Sequence, residues 1–400
     1  MVFPFAVPVP RGRSRTALVA AAALLSLSAS AGMPAPPATR GSPFLPPRVV
    51  AVGSDHDPAA LASGDFNGDG RLDLAVGSSG SKDVAVFLGD GRGGLQSAGA
   101  FPAGPDPTEI VAADLNRDGR LDLAIANHGV PLVTVLLGDG RGGFRPAAGS
   151  PLRVRSNPHP HTLGVCDADR DGSPDLVIDS WGENRFTFLR GDGKGGFASP
   201  GVSIEAGRKP YRNLRLADLD GDGRCDLVAP NLAGGLVTFL TGDGAGHFTA
   251  SGRPPLQGGP SPFAVAVADV NRDGRPDILV ANYSGQGTDP SGDGLTALLN
   301  EGGGRFRLGP RIPTGRASGD VAGGDIDGDG FADAATANQV DDTLTIGYGG
   351  PDGLSPSRTA TVRVGGHPER VLLADFNGDR KADAVTANPE DHSISILITR

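Results

Sequence analysis

DFNGDGRLD, residues 65–73, is the first of seven copies of one carboxylate-rich stretch, and that repetition decides the fold. The others read DLNRDGRLD (114–122), DADRDGSPD (167–175), DLDGDGRCD (218–226), DVNRDGRPD (269–277), DIDGDGFAD (325–333) and DFNGDRKAD (375–383), about fifty residues apart. Their shared form is D-x-[DN]-x-D-G-x-x-D, broken once, at Arg380. Oxygen-bearing side chains at positions 1, 3, 5 and 9, with a backbone carbonyl near position 7, are the donor set a hard cation such as Ca²⁺ requires. The loops lack the bidentate glutamate that completes an EF-hand, and their neighbours read as strands rather than helices, so calcium sensing by helix opening is not expected.

Four hundred residues could make two or three domains, but a fixed internal period asks for a single repetitive architecture. Gly at 63 and Pro at 34 suit a turn-rich all-β chain. Aromatics are 5%, so the core must come from Val, Leu, Ile, Ala and Phe. In the second repeat, Glu109–Ala113 reads as a short apolar strand, which the acidic loop reverses into a second strand at Leu121–Ala126. Leu132–Leu137 alternates as a third strand, a glycine hairpin GDGRGG follows, and a fourth strand starts at Phe144. Such a sheet cannot bury both faces alone, whereas seven set radially can pack face to face. The apolar residue at loop position 2 (Phe66, Leu115, Ala168, Leu219, Val270, Ile326, Phe376) is the one to turn into that packing. The expectation is an all-β, seven-bladed β-propeller of four-stranded antiparallel blades. The last repeat stops at its third strand, Ile394–Thr399, so Arg48–Gly53 is expected to supply the missing outer strand and close the ring.

With these loops and hairpins such as LGDGRGGL at Leu88 and LGDGRGGF at Leu137, and a variant with one extra residue at Leu189, the chain resembles the VCBS and FG-GAP repeat proteins. It is similar to the propeller at the N-terminus of integrin α chains over essentially residues 48–400. The resemblance implies calcium in the loops between the first two strands of each blade. In the integrin case it also implies ligand recognition on the opposite face.

Carried onto this sequence, the ligand sets are Asp65, Asn67, Asp69 and Asp73 with the Arg71 carbonyl; Asp114, Asn116, Asp118 and Asp122; and Asp167, Asp169, Asp171 and Asp175. The next three are Asp218, Asp220, Asp222 and Asp226; Asp269, Asn271, Asp273 and Asp277; and Asp325, Asp327, Asp329 and Asp333. The seventh keeps Asp375, Asn377, Asp379 and Asp383. Its Arg380 stands where a sharp turn favours glycine, so up to seven Ca²⁺ are expected with this site weak or empty. The alternative is that the aspartates only cap Asx turns. Against it, these loops hold 24 of the chain's 46 acidic residues, a crowd that would be costly to leave unneutralised. The net charge of −10 therefore belongs to the loops and says little about partners, and nothing points to nucleic acid.

Residues 1–31 read as an export signal: basic RGRSR, an apolar run from Ala17 to Leu27, and Ala29-Ser30-Ala31 as a cleavage signal. Residues 32–47 read as a Pro-rich extended linker. The protein is thus expected to be secreted, to the periplasm, the cell surface or the medium, with no membrane span once the signal is removed. Cys166 and Cys225 would meet an oxidising compartment there. They occupy non-equivalent places in neighbouring repeats, and buried thiols are favoured over a disulfide.

In this strand order the loops between strands two and three, and between blades, emerge on the face away from the acidic loops. His56, His128, His159, His161, His367 and His392 fall there, with Trp181, Tyr211 and Tyr283, while Tyr348 is placed on the outer rim. Aromatics beside Arg208, Lys209, Arg212 and Arg370 would suit an extracellular glycan or acidic polymer, and a protein ligand is equally compatible. The ligand set so marked is His159, His161, Trp181, Tyr211, Arg212, Tyr283, His367 and Arg370. Each could instead be a polar turn residue or a blade cap. There is no G-x-S-x-G and no H-E-x-x-H, so a binding or adhesion module is favoured over an enzyme. The alternatives are a polysaccharide lyase using His159, His161, Tyr211 and Arg212, or a purely structural surface protein.

Overall fold

A computed structural model of the chain describes residues 42–53, 57–156, 160–180, 183–206, 213–231, 234–250, 254–285 and 290–400. The export signal and residues 32–41 of the linker lie outside them. The described chain forms seven separate antiparallel sheets, with two single-turn 3₁₀ segments at Pro290–Gly292 and Pro389–Asp391 and no longer helix. Six sheets are built of successive strands, the seventh joins an N-terminal strand to the last three, and the innermost strands of successive blades touch one another in a closed cycle. The molecule is a seven-bladed propeller.

In blade 2 the strands are Pro107–Ala113, Asp122–Asn127, Leu132–Gly138 and Phe144–Pro146, close to the sequence reading. A further short strand, Leu152–Arg153, continues the outer edge by pairing with Val133 and Leu132. The second strand of every blade is buried at every position, whereas an outer strand such as Leu95–Pro102 is largely exposed. That gradient follows from radial packing, because an inner strand has a blade on either side and an outer strand has water on its free edge.

The core is correspondingly divided. The described residues form seven buried apolar clusters, one at each junction between neighbouring blades. Phe66 of blade 1 packs with Leu123, Ile125 and Leu136 of blade 2, and Phe376 of blade 7 packs with Leu74, Val76 and Phe87 of blade 1. All seven residues at loop position 2 are at most 5% exposed, as their apolar character demands.

Closure is achieved as expected. Arg48–Ala51 pairs antiparallel with Ser393–Leu397, from Arg48 opposite Ile396 to Ala51 opposite Ser393, and completes the seventh blade. The chain just before it is also fastened. Phe44, in the stretch read as linker, is 1% exposed, bridges Thr399, and joins the cluster between blades 6 and 7.

Cys166 and Cys225 are paired in a disulfide, with Cα atoms 6.7 Å apart, so the expectation of buried thiols is corrected. The ring geometry explains the pairing. The residue preceding one acidic loop sits against position 8 of the next blade's loop: a Cβ on Gly64 would meet Leu121, and one on Gly324 would meet Ala382. Cys166 and Cys225 occupy these two places in blades 3 and 4. Tyr348 is also corrected: it is 2% exposed, inside the cluster between blades 6 and 7, with the Arg358 guanidinium 5.6 Å from its ring centroid.

Candidate metal loops and the opposite face

The acidic loops are tight turns organised around their own carboxylates. In the first, Asp65 Oδ1 accepts the N–H groups of Gly68 (2.7 Å) and Asp69 (3.1 Å), and Oδ2 accepts that of Gly70 (2.8 Å). Positions 4 and 6 both take left-handed backbone, Gly68 at φ +76° and Gly70 at +80°. The seventh loop makes the same turn with Arg380 at φ +70°, its N–H donating to Asp375 Oδ2 at 2.7 Å. Strain of this kind is more widespread than position 6 alone suggests, since Arg117, Arg170 and Arg272 adopt φ of +62°, +59° and +58° at position 4.

The carboxylate at position 9 has a second duty. Asp73 Oδ2 accepts the Phe66 N–H and Oδ1 the Gly89 N–H, both at 2.8 Å, so one side chain ties its own loop to the end of the third strand. Asp122, Asp175, Asp226, Asp277, Asp333 and Asp383 repeat this clamp, and all seven are at most 1% exposed. Burial raises their pKa, and neighbouring carboxylates raise it further against the pull of the two amides. Asp122, Asp226 and Asp277 are pushed up to about 6 and Asp333 to about 7.

These loops fit a cation. In the three copies with aspartate at position 3, oxygens of positions 1, 3 and 9 lie within 4.8 Å of one another: Asp167, Asp169 and Asp175; Asp218, Asp220 and Asp226; Asp325, Asp327 and Asp333. In the first of these, Asp167 Oδ1 is buried without a hydrogen-bond partner, an arrangement that a cation would relieve. The position 5 carboxylates lie outside these groupings and meet arginines, as in Asp273 with Arg275 at 2.5 Å and Asp329 with Arg358 at 3.4 Å.

The next blade covers each loop. The hairpin after the third strand donates an N–H to the carbonyl at position 2 of the preceding blade: Gly142 to Phe66 (2.9 Å), Gly195 to Leu115 (3.2 Å), Gly246 to Ala168 (3.1 Å) and Gly350 to Val270 (3.1 Å). Gly93 reaches Phe376 at 3.3 Å, which carries the series across the closure from blade 1 to blade 7. A side chain at Gly142 would be strained, because its φ is +85° and a Cβ would lie 2.9 Å from the Leu88 side chain.

Hairpins and acidic loops therefore share one face, and the remaining loops share the other. There, the His128 N–H donates to the Asp106 carbonyl (2.8 Å) and that of Tyr283 to Ser261 (2.8 Å), tying each turn between strands two and three to the segment that enters its own blade. Of the ligand residues marked in the sequence, His159, Trp181, Tyr211 and Arg212 lie outside the described residues. The others are spread over blades 3, 5 and 7. His161 is only 7% exposed, with Nδ1 3.2 Å from Asp179 Oδ2. Tyr283 stacks on Phe263, centroids 4.4 Å apart and planes at 21°. His367 accepts left-handed backbone, φ +53°, and its N–H donates to Asp342 Oδ1 at 3.0 Å.

Arg370 is not a cation of the ligand face. It is 6% exposed and lies on the propeller axis, donating to the carbonyls of Ala59 (3.1 Å) and Thr108 (2.5 Å) and pairing with Glu109 at 3.1 Å and Asp320 at 3.7 Å. It thereby links blade 7 to blades 1, 2 and 6. Arg215 of blade 4 joins through Glu109 at 3.6 Å, and the inner strands enclose a cavity of about 280 Å³ around these groups. A sequence signal for this axial network existed: five residues before their loops, Glu109, Asp320 and Arg370 stand where blades 1 and 5 carry Ala60 and Ala264.

The family model of FG-GAP-like repeats matches residues 65–125, 167–229 and 218–280. A sequence search of curated proteins finds no match. Among solved structures, BBS1N in complex with ARL6DN is similar with a TM-score of 0.61 at 13% identity, over 90% of this chain and 98% of that one. A lectin from Agrocybe aegerita, whose title describes specific recognition of non-reducing terminal N-acetylglucosamine, is similar with a TM-score of 0.53 at 17% identity, over 87% and 96% of the two chains. Virginiamycin B lyase from Staphylococcus aureus is similar with a TM-score of 0.56 at 12% identity, over 88% and 99%. At these identities the likeness is one of fold.

Proposed function

Because the chain is a seven-bladed propeller of FG-GAP-like repeats, we propose that it is a calcium-stabilised binding module acting outside the cytoplasm, with a glycan or protein ligand on the face opposite the acidic loops. The observation that carries this reading is the division of labour between the two faces. On one, every loop is bound into the frame by its position 9 carboxylate, and most are also stapled to the hairpin of the next blade. Calcium there would be held by positions 1, 3, 5 and 9, and its charge would offset carboxylates that burial otherwise keeps partly protonated. The disulfide fits an oxidising compartment.

The opposite face is where the repeats differ most from one another. Its described residues include Tyr283, partly exposed and stacked on the buried Phe263, an aromatic ring of the kind on which the apolar side of a sugar ring packs. The lyase reading has less support, because the one described member of its proposed catalytic set, His161, is buried against Asp179.

A glycan array probed with the whole secreted protein tests the proposal. Retention of at least one glycan, weakened about tenfold or more by Tyr283→Ala at unchanged melting temperature, is the expected result. Retention unaffected by Tyr283→Ala would remove the aromatic stack from the site. A blank array, with a protein retained instead, would move the ligand class to protein.

A further inference from the structure

The cavity of about 280 Å³ on the propeller axis is walled by the inner strands of blades 1, 2, 4, 5, 6 and 7. Most of that wall is apolar. Leu61, Leu216, Val267, Ala322, Leu372 and Leu373 line it, and they are only half-buried although they sit on innermost strands. The charged groups of the wall are gathered in the one cluster of Glu109, Arg215, Asp320 and Arg370. Two members of this cluster are incompletely used by the protein. Asp320 is 3% exposed; its Oδ2 accepts the Val371 N–H at 3.0 Å, whereas its Oδ1 is buried with no hydrogen-bond partner. Arg370 commits Nε to the Ala59 carbonyl and Nη2 to Thr108 and Glu109, and its Nη1 stands 3.7 Å from Asp320 Oδ1, too far for a direct hydrogen bond. Arg215 donates from Nη1 to the Leu214 carbonyl at 2.8 Å, and its side chain is 33% exposed, so the cluster is open to solvent.

A buried carboxylate oxygen without a donor is costly, and the atom that relieves it here must suit the neighbouring guanidinium as well. A hydroxyl does both with one oxygen, donating to Asp320 Oδ1 and accepting from Arg370 Nη1 across their 3.7 Å gap. A phosphate or carboxylate brings no donor and would face Asp320 and Glu109, while an ammonium brings no acceptor and would face Arg370 and Arg215. Water could bridge the same gap, but one water needs only about 10–15 Å³ of such space, a small part of this cavity. We propose that the axial cavity is a binding site for a neutral polyhydroxylated molecule of about monosaccharide size. One hydroxyl bridges Asp320 and Arg370, a neighbouring one accepts from Arg215, and the C–H face lies on the apolar wall. Tyr283 is not part of this wall, so the site is separate from the aromatic ring on the face of the propeller.

Titration calorimetry of the full chain in Ca²⁺ tests the site, with glucose, galactose, mannose, xylose and inositol as probes and with phosphate and glycine as charged contrasts. One equivalent of at least one polyol should bind, and neither phosphate nor glycine should compete. Arg215→Gln, at a partly exposed position, should weaken that binding about tenfold or more and leave the melting temperature unchanged. Asp320→Asn, which keeps the shape but loses the free acceptor, should do the same, with its melting temperature recorded to show that it folds. Tyr283→Ala should have no effect. Binding lost in Tyr283→Ala but retained in Arg215→Gln would overturn the axial site and leave the propeller face as the only one. Failure of every polyol to bind, or displacement of the polyol by phosphate or glycine, would also overturn it.

Discussion

At the scale of single residues, the acidic loops show how one residue type serves three purposes. The aspartate at position 1 shapes the turn, that at position 9 ties loop to strand, and both remain able to face a cation. The turn places its demand on positions 4 and 6 alike, and arginine meets it at Arg117, Arg170, Arg272 and Arg380. A non-glycine residue in left-handed backbone costs roughly 1 kcal/mol, part of which glycine gives back through its greater freedom in the unfolded chain. Arg380→Gly is therefore expected to raise the unfolding free energy by up to about 1 kcal/mol and to tighten calcium at the seventh loop. Urea unfolding with and without Ca²⁺ measures both, and a loss of stability would contradict the strain argument.

At the scale of elements, each blade is held by its neighbours as well as by its own sheet. Each junction combines an apolar cluster with main-chain hydrogen bonds, and at the junction of blades 3 and 4 a covalent bond is added. Cys166 directly precedes Asp167, and Cys225 directly precedes Asp226, so the disulfide braces two acidic loops together. It closes a segment of 59 residues. Reduction, or the Cys166→Ala/Cys225→Ala pair, is expected to cost about 2–4 kcal/mol. Amide exchange should rise first around loops 3 and 4. Uniform exchange across all blades on reduction would show that the brace has no local effect.

At the scale of the whole molecule, the ring depends on closure, on the axial network through Arg370, and on neutralising its acidic face. The position 9 aspartates make this last requirement depend on pH. In the metal-free protein their pKa is raised, to about 7 for Asp333 and about 6 for Asp122, Asp226 and Asp277, against 3.8 for an ordinary aspartate. Over that interval the folded state binds more protons than the unfolded state, so stability falls as pH rises from near 4 towards 7. A bound cation removes the cost of ionisation. Chelation should therefore lower the melting temperature, and by more at pH 7 than at pH 5. Equal melting temperatures with Ca²⁺ and with chelator at pH 7 would refute calcium stabilisation.

Much of this was legible in the sequence because it repeats. Seven acidic loops at a near-constant spacing specify seven blades, the apolar residue after each first aspartate specifies where the blades pack, and a final repeat one strand short specifies closure by Arg48–Gly53, of which Arg48–Ala51 forms the strand. Periodic features are readable because each copy checks the others. What the tertiary structure alone decided are the contacts between blades that the period does not describe. Cys166 meets Cys225 although they hold different places in their repeats, because one blade's strand end abuts the next blade's loop. Arg370 leaves the ligand face for the axis, because the curvature of the ring brings Glu109 and Asp320 from two other blades within its reach. The His128 and His161 rings, with centroids 4.8 Å apart, meet for the same reason: they are 33 positions apart along the chain, and only the angle between two blades sets them side by side.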